Sequence, residues 1–324
     1  MTSFRYHAPA SLDEATAALA QPGAAPLGGG TDLLVTIRER IAAPSELVDL
    51  RRITGARDVV MRADGSARIG AAARIADIAA HPEIVTRFAA LAQAAASVGT
   101  PALRNMGTIG GNLGQRIRCW YFRRDMPCWK HGGAECLAWK GENQYHAIFG
   151  KGPCHAVHPS DPAVALTALE ATIEIAGANG ATRTIPIAEL YEGAASNRDG
   201  ETTLAAGEMI AAIEIPAASA GGTQYYEKVM QRGAWDFALT SLAAIKRADG
   251  NVRLVLGGVA AGPYVVNESI GEDVASGGLD AESIDALAER AMYDAEPLSQ
   301  NGYKVWQASA LLRRAMQTLG SAPA

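Results

Sequence analysis

The spacing of apolar residues changes along the chain between a helical period and the alternation of strands. Ser11 and Glu14 form an S-x-x-E capping box, which predicts a first helix that ends near Ala20. Further helical spacing is found at 75–80, 83–98, 281–293 and 303–318. Apolar runs predict strands at 46–50, 59–61, 67–69, 172–175, 184–187, 209–215, 225–230, 242–246 and 252–259. Helices and strands therefore alternate over most of the sequence.

Two stretches interrupt this pattern. Residues 115–158 hold all four cysteines and three of the five tryptophans, and they show little periodicity, so we expect a long irregular insertion. Residues 216–222 are small or proline, which predicts a domain boundary. A length of 324 residues fits two or three domains.

Composition and charge exclude several function classes. The net charge is −5 and no basic stripe carries interleaved aromatics, so neither nucleic acid nor an anionic membrane is an expected partner. No apolar run has a length typical of a membrane span. The first nine residues lack the features of a secretory signal, so we expect a cytoplasmic chain, with export alongside a partner as the alternative.

Two glycine-rich segments are candidate anion sites. Gly28, Gly29 and Gly30 precede Thr31 and Asp32, and the apolar spacing that follows predicts a helix. Glycines allow close approach of a ligand, and a helix start favours phosphate. The segment 108–112 offers the same features, although each segment taken alone is equally compatible with a tight turn. Neither matches a P-loop or a Rossmann fingerprint, and no hydrolase constellation is present.

The cysteine spacing is C-x8-C-x7-C-x17-C, formed by Cys119, Cys128, Cys136 and Cys154. Four thiolates suit either tetrahedral zinc or an iron–sulfur cluster, and the short knuckle typical of structural zinc is missing. Reduced cysteines without a metal are the third possibility. The same window holds His131, His146, His155 and His158, which we interpret as polar loop residues, one of which could donate a hydrogen bond to a cluster.

These motifs together resemble the FAD-binding medium subunit of the xanthine dehydrogenase family, also called the carbon monoxide dehydrogenase flavoprotein family. The resemblance spans essentially the whole chain. It is carried by segments 28–34, 104–113, 159–161 and 208–216. It implies an α+β fold, with a two-part FAD-binding domain of the vanillyl-alcohol-oxidase (PCMH) type and a smaller α+β C-terminal domain. The implied limits are 1–57 and 58–219 for the two FAD-binding parts, and 220–324 for the C-terminal domain.

The resemblance also implies residue roles. The first glycine segment would wrap the FAD diphosphate, the second would form the opposite wall, and three separate residues would contact the sugar hydroxyls or the flavin ring. The first set is Pro26, Leu27, Gly28, Gly29, Gly30, Thr31, Asp32 and Leu33. The second set is Thr108, Ile109, Gly110, Gly111 and Asn112, and the separate contacts are Asp161, Ile210 and Lys228.

Most members of this family lack the insertion at 115–158. Its presence resembles the subgroup with an additional [4Fe-4S] cluster, known in 4-hydroxybenzoyl-CoA reductase and in the periplasmic aldehyde oxidoreductase of enteric bacteria. All four cysteines match the ligand positions of that subgroup. The resemblance therefore implies that Cys119, Cys128, Cys136 and Cys154 bind a [4Fe-4S] cluster.

The implied function is electron transfer within a molybdenum hydroxylase complex. A large molybdenum-cofactor subunit would act on an aldehyde, an N-heterocycle or an aromatic acyl-CoA. A small [2Fe-2S] subunit would connect it to this chain, in a heterotrimer or a dimer of heterotrimers, and an external electron acceptor or donor would complete the path. Two alternatives stay open. One is a stand-alone FAD reductase of the same superfold, and the other is a zinc-stabilised interaction subunit without redox activity.

Overall fold

The computed structural model describes residues 3–150 and 152–321. Its first part is a three-stranded parallel sheet made of β1 (Arg5–His7), β2 (Ala24–Leu27) and β3 (Glu46–Asp49), in the order β1-β3-β2. Helix α1 (Leu12–Leu19) connects β1 to β2, and α2 (Leu33–Arg38) connects β2 to β3. The turn that follows β2 and leads into α2 therefore lies at the carboxyl edge of this parallel sheet.

The second part is a five-stranded antiparallel sheet in the order β4-β5-β8-β6-β7. Its strands are β4 (Val59–Met61), β5 (Ala67–Gly70), β6 (Thr172–Ala176), β7 (Thr182–Pro186) and β8 (Met209–Ile215). Between β5 and β6 the chain forms α3 (Ile75–Ala80), α4 (Pro82–Arg87), α5 (Ala89–Ala96), α6 (Pro101–Met106), α7 (Ile109–Leu113), α8 (Trp120–Arg123) and α9 (Asp161–Ala168). The largest apolar core lies between this sheet and helices α3, α5 and α9.

The insertion is mostly irregular. Within the described residues between α7 and α9, the regular structure is the single turn α8 and a 3-10 turn at Trp129–His131. A small core of Ile117, Phe122 and Ala156 packs with cysteine side chains inside it. The expectation of a long irregular insertion is confirmed.

The third part is an antiparallel sheet in the order β12-β11-β10-β9. Its strands are β9 (Thr223–Val229), β10 (Thr240–Lys246), β11 (Val252–Gly257) and β12 (Tyr264–Val265). Helices α10 (Glu268–Ser276), α11 (Ala281–Ala291) and α12 (Tyr303–Ser321) build a second core with this sheet. Helices α5 and α9 pack against β9 and β10, so the third part is joined directly to the second.

The α+β prediction is confirmed, and most predicted elements are found within a few residues. The single helix predicted over 83–98 is wrong, because the chain leaves helical geometry at Phe88 (φ −130°, ψ 52°), whose side chain is fully buried. The strand predicted at 184–187 starts at Thr182 and ends at Pro186, where a 3-10 turn begins. The elements β1, β2, β12, α6, α8 and α10 were missed. The domain limits 1–57, 58–219 and 220–324 stay predictions.

Candidate functional site

The two glycine-rich segments meet face to face. A Cβ on Gly29 would overlap the carbonyl oxygen of Met106, and a Cβ on Gly28 would overlap the Thr108 hydroxyl. Both positions therefore need glycine for the segments to touch at all. The sequence motifs at 28–32 and 107–113, far apart along the chain, form one structural feature.

Local geometry explains how each segment is shaped. Gly30 has φ +74°, a left-handed conformation that glycine adopts at no steric cost, and it turns the chain from β2 into α2. Thr108 caps α7, because its hydroxyl accepts a hydrogen bond from Gly111 N at 3.2 Å. Both segments present short side chains or none, so the backbone forms the walls here.

Three adjoining cavities follow these walls. A cavity of about 400 Å³ lies along the first segment and reaches Ile210 on β8. A second, of about 410 Å³, shares Thr31, Asp32, Thr108 and Gly111 with it and extends to Asp161. A third, of about 430 Å³, shares Asp161 and Phe237 with the second and ends at Cys119 and His146. The result is an elongated cleft with a glycine-rich centre, a shape that suits an extended ligand with a central diphosphate.

Most predicted flavin contacts fall on this cleft. The first cavity is lined by Pro26, Gly28, Gly29, Gly30, Thr31, Asp32, Leu33, Thr108, Gly110, Gly111 and Ile210, and the second adds Asn112 and Asp161. Leu27 and Ile109 are buried behind the two segments as core residues. Lys228 is also absent from the cavity walls and reaches the cleft through a partner.

That partner is Asp161, at the start of α9. Lys228 Nζ lies 2.8 Å from Asp161 Oδ2, and the Tyr226 hydroxyl donates to Asp161 Oδ1 at 2.6 Å. All three groups are buried. Burial raises the pKa of Asp161, and the Lys228 ammonium opposes that rise. Asp161 thus presents a carboxyl with fixed orientation to the cleft, and Lys228 is a residue that positions it.

Ser160 ties α9 to the second glycine segment. Its hydroxyl accepts from Ala163 N at 3.1 Å as the helix cap, and it donates to Asn112 Oδ1 at 2.6 Å. The Tyr191 hydroxyl donates to the Leu113 carbonyl at 3.0 Å in the same region. The segments 159–161 and 104–113, which carry the family resemblance, are therefore joined by a direct hydrogen bond between Ser160 and Asn112.

Asp32 has a second role that the sequence reading missed. Its carboxylate pairs with Arg118 and with Arg123, whose Nη2 lies 2.8 Å away, and it accepts from Arg116 N at 2.7 Å. Burial opposes ionisation, but Arg118 and Arg123 outweigh it and hold the pKa of Asp32 below its ordinary value. Asp32 thus joins the first glycine segment to the start of the cysteine insertion.

A second buried ionic cluster fixes the insertion from the other side. The Glu201 carboxylate lies 3.2 Å from Lys130 Nζ and 2.6 Å from Arg116 Nε. Lys130 also donates to the carbonyls of Asn197 and Gly200 at 2.7 and 2.8 Å. Because Gly200 and Glu201 line the first cavity, this cluster also connects the insertion to the wall of the cleft.

The four cysteines are free thiols that gather in this insertion. Cys119, Cys128 and Cys154 pack in one small core, and Cys136 is near enough to act electrostatically on Cys119 and Cys154. Burial raises the pKa of Cys119 to about 12 and that of Cys154 to about 11, and the neighbouring cysteines add to both rises. Among residues 3–150 and 152–321, no three His, Cys, Asp or Glu side chains converge tightly enough to hold a single metal ion.

Two histidines of the insertion region are buried, contrary to our interpretation of all four as polar loop residues. Nε2 of His146 lies 3.2 Å from the sulfur of Cys119, and burial lowers the pKa of this histidine to about 4. The His158 ring packs at a tilt against Tyr191, with ring centroids 4.4 Å apart, and burial lowers the pKa of His158 to about 3. Sequence spacing alone carries no signal of this burial.

Similarity to known proteins decides the family. Residues 2–218, two thirds of the chain, match the model of the FAD binding domain in molybdopterin dehydrogenase. The chain belongs to that family.

Two relatives are similar over most of their length. The chain is 36% identical to the aldehyde oxidoreductase FAD-binding subunit PaoB of Escherichia coli over 287 residues, 88% of this chain and 87% of the relative. It is 30% identical to the carbon monoxide dehydrogenase medium chain of Hydrogenophaga pseudoflava, covering 97% and 96%. The structure of carbon monoxide dehydrogenase from the same organism, lacking the Mo-pyranopterin moiety, aligns with a TM-score of 0.74 at 26% identity, covering 97% of this chain and 96% of that one.

These findings confirm the predicted family of FAD-binding oxidoreductase subunits and its fold. Within the part of the chain that the structure describes, no helix has the length and apolar character needed to cross a membrane.

Proposed function

We propose that this chain binds FAD in the elongated cleft and serves as an electron-transfer subunit of a molybdenum enzyme. The observation that carries the proposal is the contact between the two glycine segments at the centre of the cleft. Their exposed backbone would hold the diphosphate, with the adjoining cavities left for the two ends of the cofactor. Asp161, fixed by Lys228 and Tyr226, would accept hydrogen bonds from the sugar or ribityl hydroxyls.

The residues present fit FAD in chemistry as well as in shape. The glycines of the two segments leave backbone exposed along the first cavity, and Ile210 offers an apolar surface for a ring. When bound, FAD supplies exchange of one or two electrons. The chain would orient it and cover it. The similarity of the chain to an FAD-binding subunit and to a medium chain of larger enzymes favours an electron-transfer role over a stand-alone reductase.

We also propose that Cys119, Cys128, Cys136 and Cys154 hold a [4Fe-4S] cluster. The support is that Cys119, Cys128 and Cys154 pack in one small core, with Cys136 near enough to act electrostatically on Cys119 and Cys154. The choice of a cluster over zinc rests on the resemblance of the insertion to the [4Fe-4S] subgroup and on the missing short knuckle of structural zinc sites.

The partners follow from the family. A large molybdenum-cofactor subunit would carry out substrate chemistry, a small [2Fe-2S] subunit would lie between it and this chain, and an external carrier would exchange electrons with the flavin or the cluster. The similarity to an aldehyde oxidoreductase subunit favours an aldehyde over an N-heterocycle or an acyl-CoA as the substrate of the complex.

A cysteine variant tests the two-cofactor proposal. Cys136→Ser should remove most of the iron from anaerobically purified protein while part of the FAD stays bound. The reason is that Cys136 lies near the other cysteines of the insertion and does not line the FAD cavities. Iron, zinc and flavin analysis of the variant beside the parent chain gives the readout. Unchanged iron would contradict this ligand assignment, and zinc in the parent chain would favour a non-redox insertion.

A further inference from the structure

Resting on the proposed cluster, we propose that His146 tunes its reduction potential by donating an Nε2–H hydrogen bond to the sulfur of Cys119. Nε2 and the sulfur lie 3.2 Å apart, within hydrogen-bond distance for sulfur. His146 is thereby a positioning and tuning residue for electron transfer, and it acts without binding iron.

The position of the His146 ring is set by hydrogen bonds to its main chain and by one aromatic contact. His146 N donates to the Asn143 carbonyl at 3.0 Å, and its carbonyl accepts from Asn301 Nδ2 at 3.0 Å. Asn301 lies two residues before the start of α12, so the C-terminal part of the chain contacts the main chain of the histidine. Trp120 packs edge-on against the imidazole, with ring centroids 5.7 Å apart. A side chain fixed this firmly keeps its hydrogen bond in both oxidation states.

The tautomer follows from the acceptor. A ligand thiolate has no proton to give, so the histidine must donate, and a neutral ring then carries its proton on Nε2. The other ring nitrogen, Nδ1, is buried and has no hydrogen-bond partner among the described residues, which leaves it free to remain unprotonated. This assignment makes the Cys119 sulfur an acceptor of a fixed side-chain donor.

Other donors reach the same sulfur. The backbone N–H groups of Tyr121 and Phe122 hydrogen-bond to Cys119, whereas Cys154 receives the N–H of Ala156. Within the described residues, His146 is the side chain that hydrogen-bonds to a cysteine sulfur. Hydrogen bonds to cluster sulfurs stabilise the more negative, reduced form and raise the potential. Loss of the His146 donor should therefore make the cluster harder to reduce.

The experiment compares three chains by redox titration of the cluster signal in electron paramagnetic resonance. His146→Leu should shift the midpoint potential to a more negative value. At a fixed potential, the ratio of reduced to oxidised cluster should fall about tenfold, which corresponds to about 59 mV for one electron. His146→Gln retains an amide donor and should recover part of the shift. His155→Leu is the matched control, because His155 lies in the same insertion and stacks on Trp139 at 5.1 Å.

A second measurement needs no variant. In the parent chain labelled with nitrogen-15 histidine, pulsed resonance of the reduced cluster should show weak coupling to one imidazole nitrogen. An unchanged midpoint in His146→Leu with full iron content, or no such coupling, would overturn the His146 inference and leave the cluster standing. A parent chain without iron would overturn both, and the iron analysis separates the two failures.

Discussion

The walls of the cleft and the cysteine insertion lie side by side but are built by different means. At the centre of the cleft the walls are the backbone of the two glycine segments, where Gly28 and Gly29 leave no room for a Cβ. The insertion has almost no regular structure and is fixed by side-chain charges, at the half-buried Asp32 and at the buried Lys130 and Glu201. A site made of backbone depends on the absence of a Cβ, whereas a site fixed by charges depends on the partners that neutralise them.

The largest effect is expected from a change in the glycine segments, the region built from backbone. Gly29→Ala places a methyl group on the Met106 carbonyl, so the two glycine segments must separate. Bound FAD should fall at least tenfold, measured as flavin released from purified protein, with iron content unchanged. Gly302→Ala is the control, since a Cβ there meets open space. Full flavin content in Gly29→Ala would show that the contact between the segments does not shape the site.

A smaller effect is expected where the two regions are joined. Asp32→Asn keeps the side-chain volume but leaves Arg118 and Arg123 without their buried counter-charge, which should destabilise the chain by roughly 3 kcal/mol. Both flavin and iron should fall, because Asp32 belongs to both regions. The readouts are chemical denaturation and cofactor content.

The control for that variant is a surface pair. Asp285→Asn breaks an exposed ion pair with Arg313 and should cost about 0–1 kcal/mol. If Asp32→Asn matched it in stability and kept both cofactors, the two regions would be independent of each other.

The smallest effect concerns pH. His158 is buried with its pKa lowered to about 3, so the unfolded chain takes up the proton first as pH falls. Its contribution to stability is complete above about pH 6.5 and is lost progressively below it, by about 1.4 kcal/mol per pH unit. Between pH 6 and pH 5, the free energy of unfolding of His158→Leu should therefore fall by about 1.4 kcal/mol less than that of the parent chain. Equal slopes in parent and variant would show that His158 titrates normally in the folded chain.

The sequence predicts the two regions unequally, for physical reasons. The Ser11 cap and the apolar run over 209–215 act locally, so the corresponding helix and strand are found where expected. The glycine segments and the cysteines are visible as motifs. The break at Phe88 depends on core packing that helical spacing over 83–98 does not show.

The ionic contacts of the site are beyond any local pattern. Asp32 and Arg123 are 91 positions apart, and Lys130 and Glu201 are 71 apart, so only the fold brings them together. The family resemblance assigned Asp32 to the FAD site and Lys228 to the flavin, whereas the structure shows Asp32 paired with Arg123 and Lys228 paired with the buried Asp161. The cofactor contacts of these residues stay predictions.

Cofactor analysis of the parent chain, purified without oxygen, tests the central claim most directly. Its visible spectrum, with flavin, iron and zinc measured on the same sample, should show flavin bands above a broad iron–sulfur absorbance, with about one FAD and about four iron atoms per chain. Flavin without iron would contradict the cluster. A colourless protein containing zinc would contradict the whole account of an electron-transfer subunit.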